Sequence, residues 1–137
     1  AVVSGLFVRN ITDKTAQIVT CTPLIISAIC AWSVFAQVIT HDISTTITVL
    51  PWIHSGDFVV DWALKVDALT AIMLTLVTTV SAVVHVYSVG YMSHDDHKQR
   101  FMCYLSLFTF CMLMLVTADN FIQLFFGWEG VGLCSYL

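Results

Sequence analysis

The chain has 137 residues, of which 58% are hydrophobic and only 10% charged, with a formal net charge of −4. Such a balance excludes an ordinary soluble domain. It also excludes a nucleic-acid partner, because the five basic residues (Arg9, Lys14, Lys65, Lys98 and Arg100) form no stripe that could grip phosphates.

The expected fold is an all-α integral membrane protein: a multi-span bundle of transmembrane helices with one small extramembrane β-hairpin, forming a single unit over residues 1–137. A helix needs about 20 apolar residues to cross the hydrocarbon core. Ala1 to Val8 is expected to be the tail of an earlier helix. Thr15 to Thr40 is uncharged throughout and forms the first complete span, with Pro23 near its start, where a missing N–H matters least or a kink is tolerated. From Ser44 to Val66, apolar residues alternate with polar ones around His54-Ser55-Gly56-Asp57. Ile47, Val49, Val60, Trp62, Leu64 and Val66 keep one phase while Asp61 and Lys65 take the other. Period-two alternation about a glycine turn predicts a β-hairpin, with an irregular loop as the alternative.

Ala68 to Ser93 contains no acid, Lys or Arg, only His85, and ends in Tyr87 and Tyr91, which suit a membrane interface. It is the second span. Phe101 to Ala118, dense in Leu, Phe and Met, is a short third, its Met and Phe expected to face lipid or neighbours. Phe121 to Leu137 begins a fourth. A chain that starts without Met and stops inside an apolar run is expected to be a piece of a longer polypeptide, and no secretory signal is expected at its start. If connections alternate sides, the segments 9–14 and 94–100 share one face with four Lys/Arg, whereas the hairpin and the Asp119-Asn120 turn share the other with only Lys65. The basic face is then cytoplasmic or matrix, and the hairpin faces outward.

Five cysteines (Cys21, Cys30, Cys103, Cys111, Cys134) fall in apolar runs without CxxC spacing, which argues against zinc and disulfides and predicts small buried hydrophobes. His94-Asp95-Asp96-His97 has metal-binding residue types, but an exposed loop enforces no geometry, so a ligand role is not expected. Asp67 opens the second span as an acid suited to the helix dipole. Asp119 and Asn120 are expected to cap the fourth helix.

The residue that calls for chemistry is Glu129. It lies nine residues beyond Asn120, which at about 1.5 Å per residue is roughly 13 Å into the bilayer. An acid at that depth costs about 2.5–3.5 kcal/mol on the insertion scale, so it marks a proton relay, a wet cavity or an ion pair. The bland alternative is a neutral carboxyl acting as interhelical glue. Phe125, Phe126, Gly132, Leu133 and Tyr136 share its helix face, with the Tyr136 hydroxyl a weak candidate partner. Gly127, Gly130 and Gly132 are expected to admit another helix or a local widening. The basic residues all lie outside the spans, so a counter-ion must come from elsewhere. His85, late in its span toward the inner face, is a second, weaker candidate for passing protons to or from water, with a plain interfacial histidine as the alternative.

The segments "ADNFIQLFFGWEGVGLCSYL" (Ala118 to Leu137), "HVYSVGYMSHDDHKQRFMCYLSLFTFCMLMLV" (His85 to Val116) and "VDALTAIMLTLVTTVSAVVH" (Val66 to His85) closely resemble the chain 5, or chain L, family of NADH:ubiquinone oxidoreductase, respiratory complex I. The likeness is strong from about Val66 onward and weaker before it, and the wording is nearest bacterial or mitochondrial lineages related to the α-proteobacteria. It implies that Glu129 corresponds to the family's essential glutamate, on the helix opening the first of two inverted repeats of five helices. The family's partner lysine lies two helices further on. The resemblance further implies a proton-translocating membrane subunit of an NADH-oxidising enzyme, in the mitochondrial inner or bacterial cytoplasmic membrane. No cofactor is expected in this chain; FMN, iron-sulfur clusters and ubiquinone are implied in other subunits. The implied partners are other membrane subunits of complex I, above all the adjacent antiporter-like subunit, and lipids. The alternatives are the large subunit of a multisubunit cation/proton antiporter, and a structural membrane subunit with no proton role.

Overall fold

A computed structural model describes residues 13–41, 44–56, 58–95 and 97–137. The expected partial helix over Ala1 to Val8, Arg9 of the basic face, Asp57 of the turn and Asp96 of the loop lie outside the described residues. The elements are α1 (Asp13–His41), β1 (Thr45–Ser55), β2 (Phe58–Val66), α2 (Ala68–Tyr91), α3 (Lys98–Val116) and α4 (Phe121–Tyr136). The fold is thus mostly helical with one two-stranded sheet, in the expected order. Three of the helices, Thr15–His41, Ala68–Tyr91 and Lys98–Val116, are long and apolar enough to cross a membrane. The fourth, α4, has 16 residues. Pro23 falls inside α1 rather than at its start, because the helix begins at Asp13.

Burial is inverted relative to a water-soluble bundle. The buried positions of α2 include Thr70, Thr75, Thr78, His85 and Ser88, while Leu69, Ile72, Leu76, Val80, Val83 and Val86 are exposed. Aliphatic residues outside and hydroxyls inside suit a lipid solvent, in which helix association relies on close packing and polar contacts instead of apolar burial. The hydroxyls are satisfied locally or across helices. Thr75 Oγ1 donates to the Ala71 carbonyl at 2.9 Å and lies 3.3 Å from the Ala31 carbonyl, and the Trp32 Nε1–H reaches Thr79 Oγ1 at 3.2 Å, fastening α1 to α2. Tyr87 and Tyr91 stand exposed and stacked at the end of α2, with ring centroids 5.7 Å apart. Of the cysteines, Cys111 and Cys134 are buried, but Cys30 stands exposed on α1, a correction to the expectation that all five are buried. In a lipid-facing helix a small apolar thiol is as well solvated outside as inside.

The hairpin forms as the alternation predicts, closing on Gly56, whose φ of +60° lies in the left-handed region that glycine adopts freely. The antiparallel register runs from Thr45 opposite Val66 to Ser55 opposite Phe58, with irregularities between Thr48 and Leu50 and between Pro51 and Ile53. Pro51, which has no N–H for a ladder, stands beside one of these breaks. The burial phase is not the expected one. Val60 and Ala63 are the buried positions of β2, because the strand lies edge-on against the α3–α4 turn. Along that edge Lys65 N–H donates to the Thr117 carbonyl at 2.9 Å, Asn120 Nδ2 donates to the Asp61 carbonyl at 2.9 Å, and Ala63 N–H donates to Gln123 Oε1 at 3.2 Å. Residues 61, 63 and 65 have one parity, so their backbone groups face one side and the strand edge is covered. The hairpin and the α3–α4 turn thus share one end of the bundle, as the orientation argument expects.

Candidate functional site

α4 starts where Asn120 accepts a hydrogen bond from Gln123 N–H at 2.9 Å. Among the described residues Asn120 alone caps it; Asp119 is exposed and makes no cap bond, because Asn120 holds the N-cap position and Asp119 lies one residue before it. The helix turns a stripe of Gln123, Gly127, Gly130 and Cys134 toward its neighbours, a spacing of four, three and four that keeps one face. A Cβ on Gly127 would come within 2.7 Å of the Leu115 backbone nitrogen, and one on Gly130 within 2.6 Å of Cys111 Sγ. Those two glycines therefore set the close approach of α3 and α4. Gly132 does not share this role, since nothing lies within 4 Å of its added Cβ.

Glu129 falls off that stripe and lies on the open face of α4, with Phe125, Phe126, Leu133 and Tyr136 also exposed. Among the described residues no hydrogen bond or ion pair reaches it. Tyr136, 86% exposed, is not hydrogen-bonded to Glu129, because two helical turns separate them and the tyrosine points outward. On the hairpin side of Glu129, Phe126 meets two tryptophans: its ring centroid is 5.2 Å from Trp62 and 6.1 Å from Trp52, and the tryptophans are 4.8 Å apart. This aromatic triad joins the hairpin to α4 three residues before the carboxylate.

His85 is late in α2 as expected, but it is 0% exposed, so it does not sit at a wet inner surface. The ring is enclosed because α2 and α3 meet through hydroxyls around it. Its Nδ1 lies 2.8 Å from the Ser81 carbonyl oxygen and 3.3 Å from Ser81 Oγ, and its Nε2 lies 3.2 Å from Ser106 Oγ. Ser81 in turn meets Thr109 at 2.6 Å. The sequence reading did not single out Ser81, Ser106 or Thr109. The available signal was local: Ser81 is one turn from His85, on the same face as Thr78 and Ser88. Gln123 was also missed; it is 0% exposed and spans from α4 to the hairpin, its Nε2 without a partner.

Asp67 and Asp95 flank α2 at its two ends. Asp67 caps α2, accepting from Thr70 N–H at 2.8 Å, and that bond, with Lys65 nearby, holds its carboxyl below the usual carboxylate range. In the loop after α2, Asp95 accepts from the His97 backbone N–H at 2.6 Å, and no group of three metal-ligating residues occurs among the described residues.

Three helices long and apolar enough to cross a membrane, with hydroxyls at their contacts, a hairpin laid over one end and a lone carboxylate on an apolar helix define a mostly helical fold suited to a lipid solvent. The comparisons with known proteins narrow this class to one likeness. The family described as complex I (NADH-ubiquinone oxidoreductase) chain 5 N-terminus matches residues 52–102. NADH-quinone oxidoreductase subunit L of Rickettsia bellii is 55% identical over all of this chain, which covers 21% of that protein. The subunit L of Rhodobacter capsulatus is 51% identical over all of this chain, covering 20% of its length. NADH-ubiquinone oxidoreductase chain 5 of Talaromyces marneffei is 48% identical over 98% of the chain, again covering 20% of its length. The chain is thus similar to the complex I chain 5, or subunit L, proteins and spans about a fifth of the length of these relatives.

Proposed function

We propose that this chain acts as part of the antiporter-like membrane subunit of NADH:ubiquinone oxidoreductase, in the mitochondrial inner or bacterial cytoplasmic membrane, and that Glu129 takes up and releases protons as quinone is reduced elsewhere in the complex. The observation that carries the reading is the placement of Glu129. It is an unpartnered acid in an apolar helix, on the face turned away from the α3–α4 contact. An isolated carboxyl in lipid favours its neutral form, and a cation brought close favours the ionised one. A partner that approaches and withdraws therefore loads and unloads the acid. The glycine-seated contact with α3 holds α4 in place while the open face remains available to such a partner.

On this reading the counter-ion comes from beyond the described residues, in the rest of the subunit or in a neighbouring antiporter-like subunit. FMN, iron-sulfur clusters and ubiquinone belong to other subunits, and this chain contributes proton transfer alone. Tyr136 contributes at most indirectly, since it is not bonded to the acid. The test is Glu129→Gln in the full-length subunit, with NADH oxidation and proton uptake followed in membrane vesicles and assembly checked on a native gel. An assembled complex that loses most of its proton uptake supports the reading. Unchanged uptake per NADH makes Glu129 packing glue. Proton-coupled cation exchange without flavin or iron-sulfur subunits in the purified assembly would instead identify a multisubunit antiporter.

A further inference from the structure

The hydrogen bonds around His85 constrain where its protons lie. A carbonyl only accepts, so the 2.8 Å contact with the Ser81 carbonyl places a hydrogen on Nδ1. Nε2 faces Ser106 Oγ at 3.2 Å, and that hydroxyl also lies 2.8 Å from the Met102 carbonyl. A hydroxyl has one proton to give. If Ser106 donates to Nε2, the imidazole is neutral; if Ser106 donates to Met102, its oxygen accepts from an Nε2–H and the ring is an imidazolium. Rotation of one O–H bond satisfies either state. On the other side Thr109 donates to the Leu105 carbonyl at 3.0 Å, so Ser81 donates to Thr109 and keeps its own oxygen to accept from Nδ1–H. Both hydroxyls beside the ring are thus able to act as acceptors, each handing its own proton toward α3.

We propose that His85, within the hydroxyl shell of Ser81, Ser106 and Thr109, is a second proton-holding station, built between α2 and α3 and able to carry a proton without a counter-ion. The inference rests on the proton-translocating reading above and adds a site to it. Loading forms one N–H bond at Nε2 as an acid outside the shell breaks its own bond to the proton and leaves as its conjugate base, while the Ser106 hydroxyl turns to Met102; unloading reverses both, and no electron moves. Ser81 and Thr109 also form part of the wall of a groove of about 330 Å³, with Val80, Val84, Leu105 and Phe108. The Nδ1 side of the network thus reaches this apolar groove, while Ser106 on the Nε2 side lies outside its wall. Hydroxyl glue between helices needs no imidazole and no hydroxyl with two alternative acceptors.

The elements packed against α2 are α1, α3 and β2. Among the described side chains, the ionisable ones are Cys21, Cys30 and His41 on α1, Lys98, Arg100, Cys103, Tyr104 and Cys111 on α3, and Asp61 and Lys65 on β2; α2 itself adds Tyr87 and Tyr91. The imidazole among these, His41, ends α1 at the hairpin end, away from His85.

The test follows NADH-driven proton translocation against pH in vesicles carrying the full-length subunit, for His85→Gln, Ser106→Ala and Ser106→Thr, with assembly checked on a native gel. In the parent complex translocation falls as rising pH empties the station. Hydrogen bonds to a charged donor are the stronger ones, so losing the Ser106 oxygen weakens the loaded state most. Ser106→Ala should move the fall about half to one unit toward lower pH, and Ser106→Thr should restore the parent profile. His85→Gln should reduce translocation several-fold and remove that limb. A parent-like profile in both His85→Gln and Ser106→Ala overturns the station. If Glu129→Gln alone abolishes translocation while both variants match the parent, only this inference falls; if Glu129→Gln translocates normally, the proposed function falls and takes the station with it.

Discussion

His85 and Glu129 both interrupt apolar helices, and their surroundings are opposite. The imidazole is fully enclosed, with both ring nitrogens within hydrogen-bonding distance of α2 or α3 groups. The carboxylate lies on the open face of its helix, and no described residue bonds to it. The enclosed site is complete within this stretch of chain, so its chemistry depends on hydroxyls already in place. On the proposed function, the chemistry of the open site depends on what approaches α4 from outside. Structural loss and functional loss should therefore separate between the two regions.

The largest structural effect is expected at the enclosed site. His85→Ala leaves a void and strands the Ser81 and Ser106 hydroxyls, and should cost about 2–4 kcal/mol; the purified full-length subunit should unfold earlier in a denaturing-detergent titration. Glu129→Gln should leave that midpoint unmoved. Next comes the seat of α4: Gly127→Ala drives a methyl against the Leu115 backbone and should cost about 1–3 kcal/mol in the same titration. Gly132→Ala, on the open side, should cost nothing, and a matching loss there would break the comparison.

Asn120→Ala removes both the α4 cap and the bond to the Asp61 carbonyl, and should cost about 1–2 kcal/mol. Faster amide exchange in both the first turn of α4 and β2 would show the coupling. The smallest effect belongs to Asp67. Its folded carboxyl is held below the unfolded value of about 3.9, so its cap is fully present above that value and is lost as pH falls through the lower folded one. Exchange at the Thr70 amide should accelerate only in that acid window, and Asp67→Asn should flatten the dependence.

Much of this architecture was legible in the chain. Absence of charge over Thr15–Thr40 and Ala68–Ser93 marked the spans, and alternation about Gly56 marked the hairpin. The docking of the hairpin was not legible, because Ala63 to Gln123 and Asp61 to Asn120 join backbone to side chains about 60 residues apart, with no periodic trace. The hydroxyl stripe of α2 was in plain view as Thr70, Thr75, Thr78, Ser81 and Ser88, yet a count of apolar residues treats it as background. Glu129 stood out by chemistry alone: one acid in an apolar helix. Its direction did not, since that depends on Gly127 and Gly130 being the residues that meet α3.

The most direct test of the central claim is redox-triggered infrared difference spectroscopy of the carboxyl C=O stretch in the assembled complex, comparing the parent with Glu129→Gln. The account predicts a protonated-carboxyl band that changes when the complex is reduced and is missing from the variant. Identical difference spectra would mean that Glu129 neither gains nor loses a proton on reduction, and would contradict its assignment as a relay.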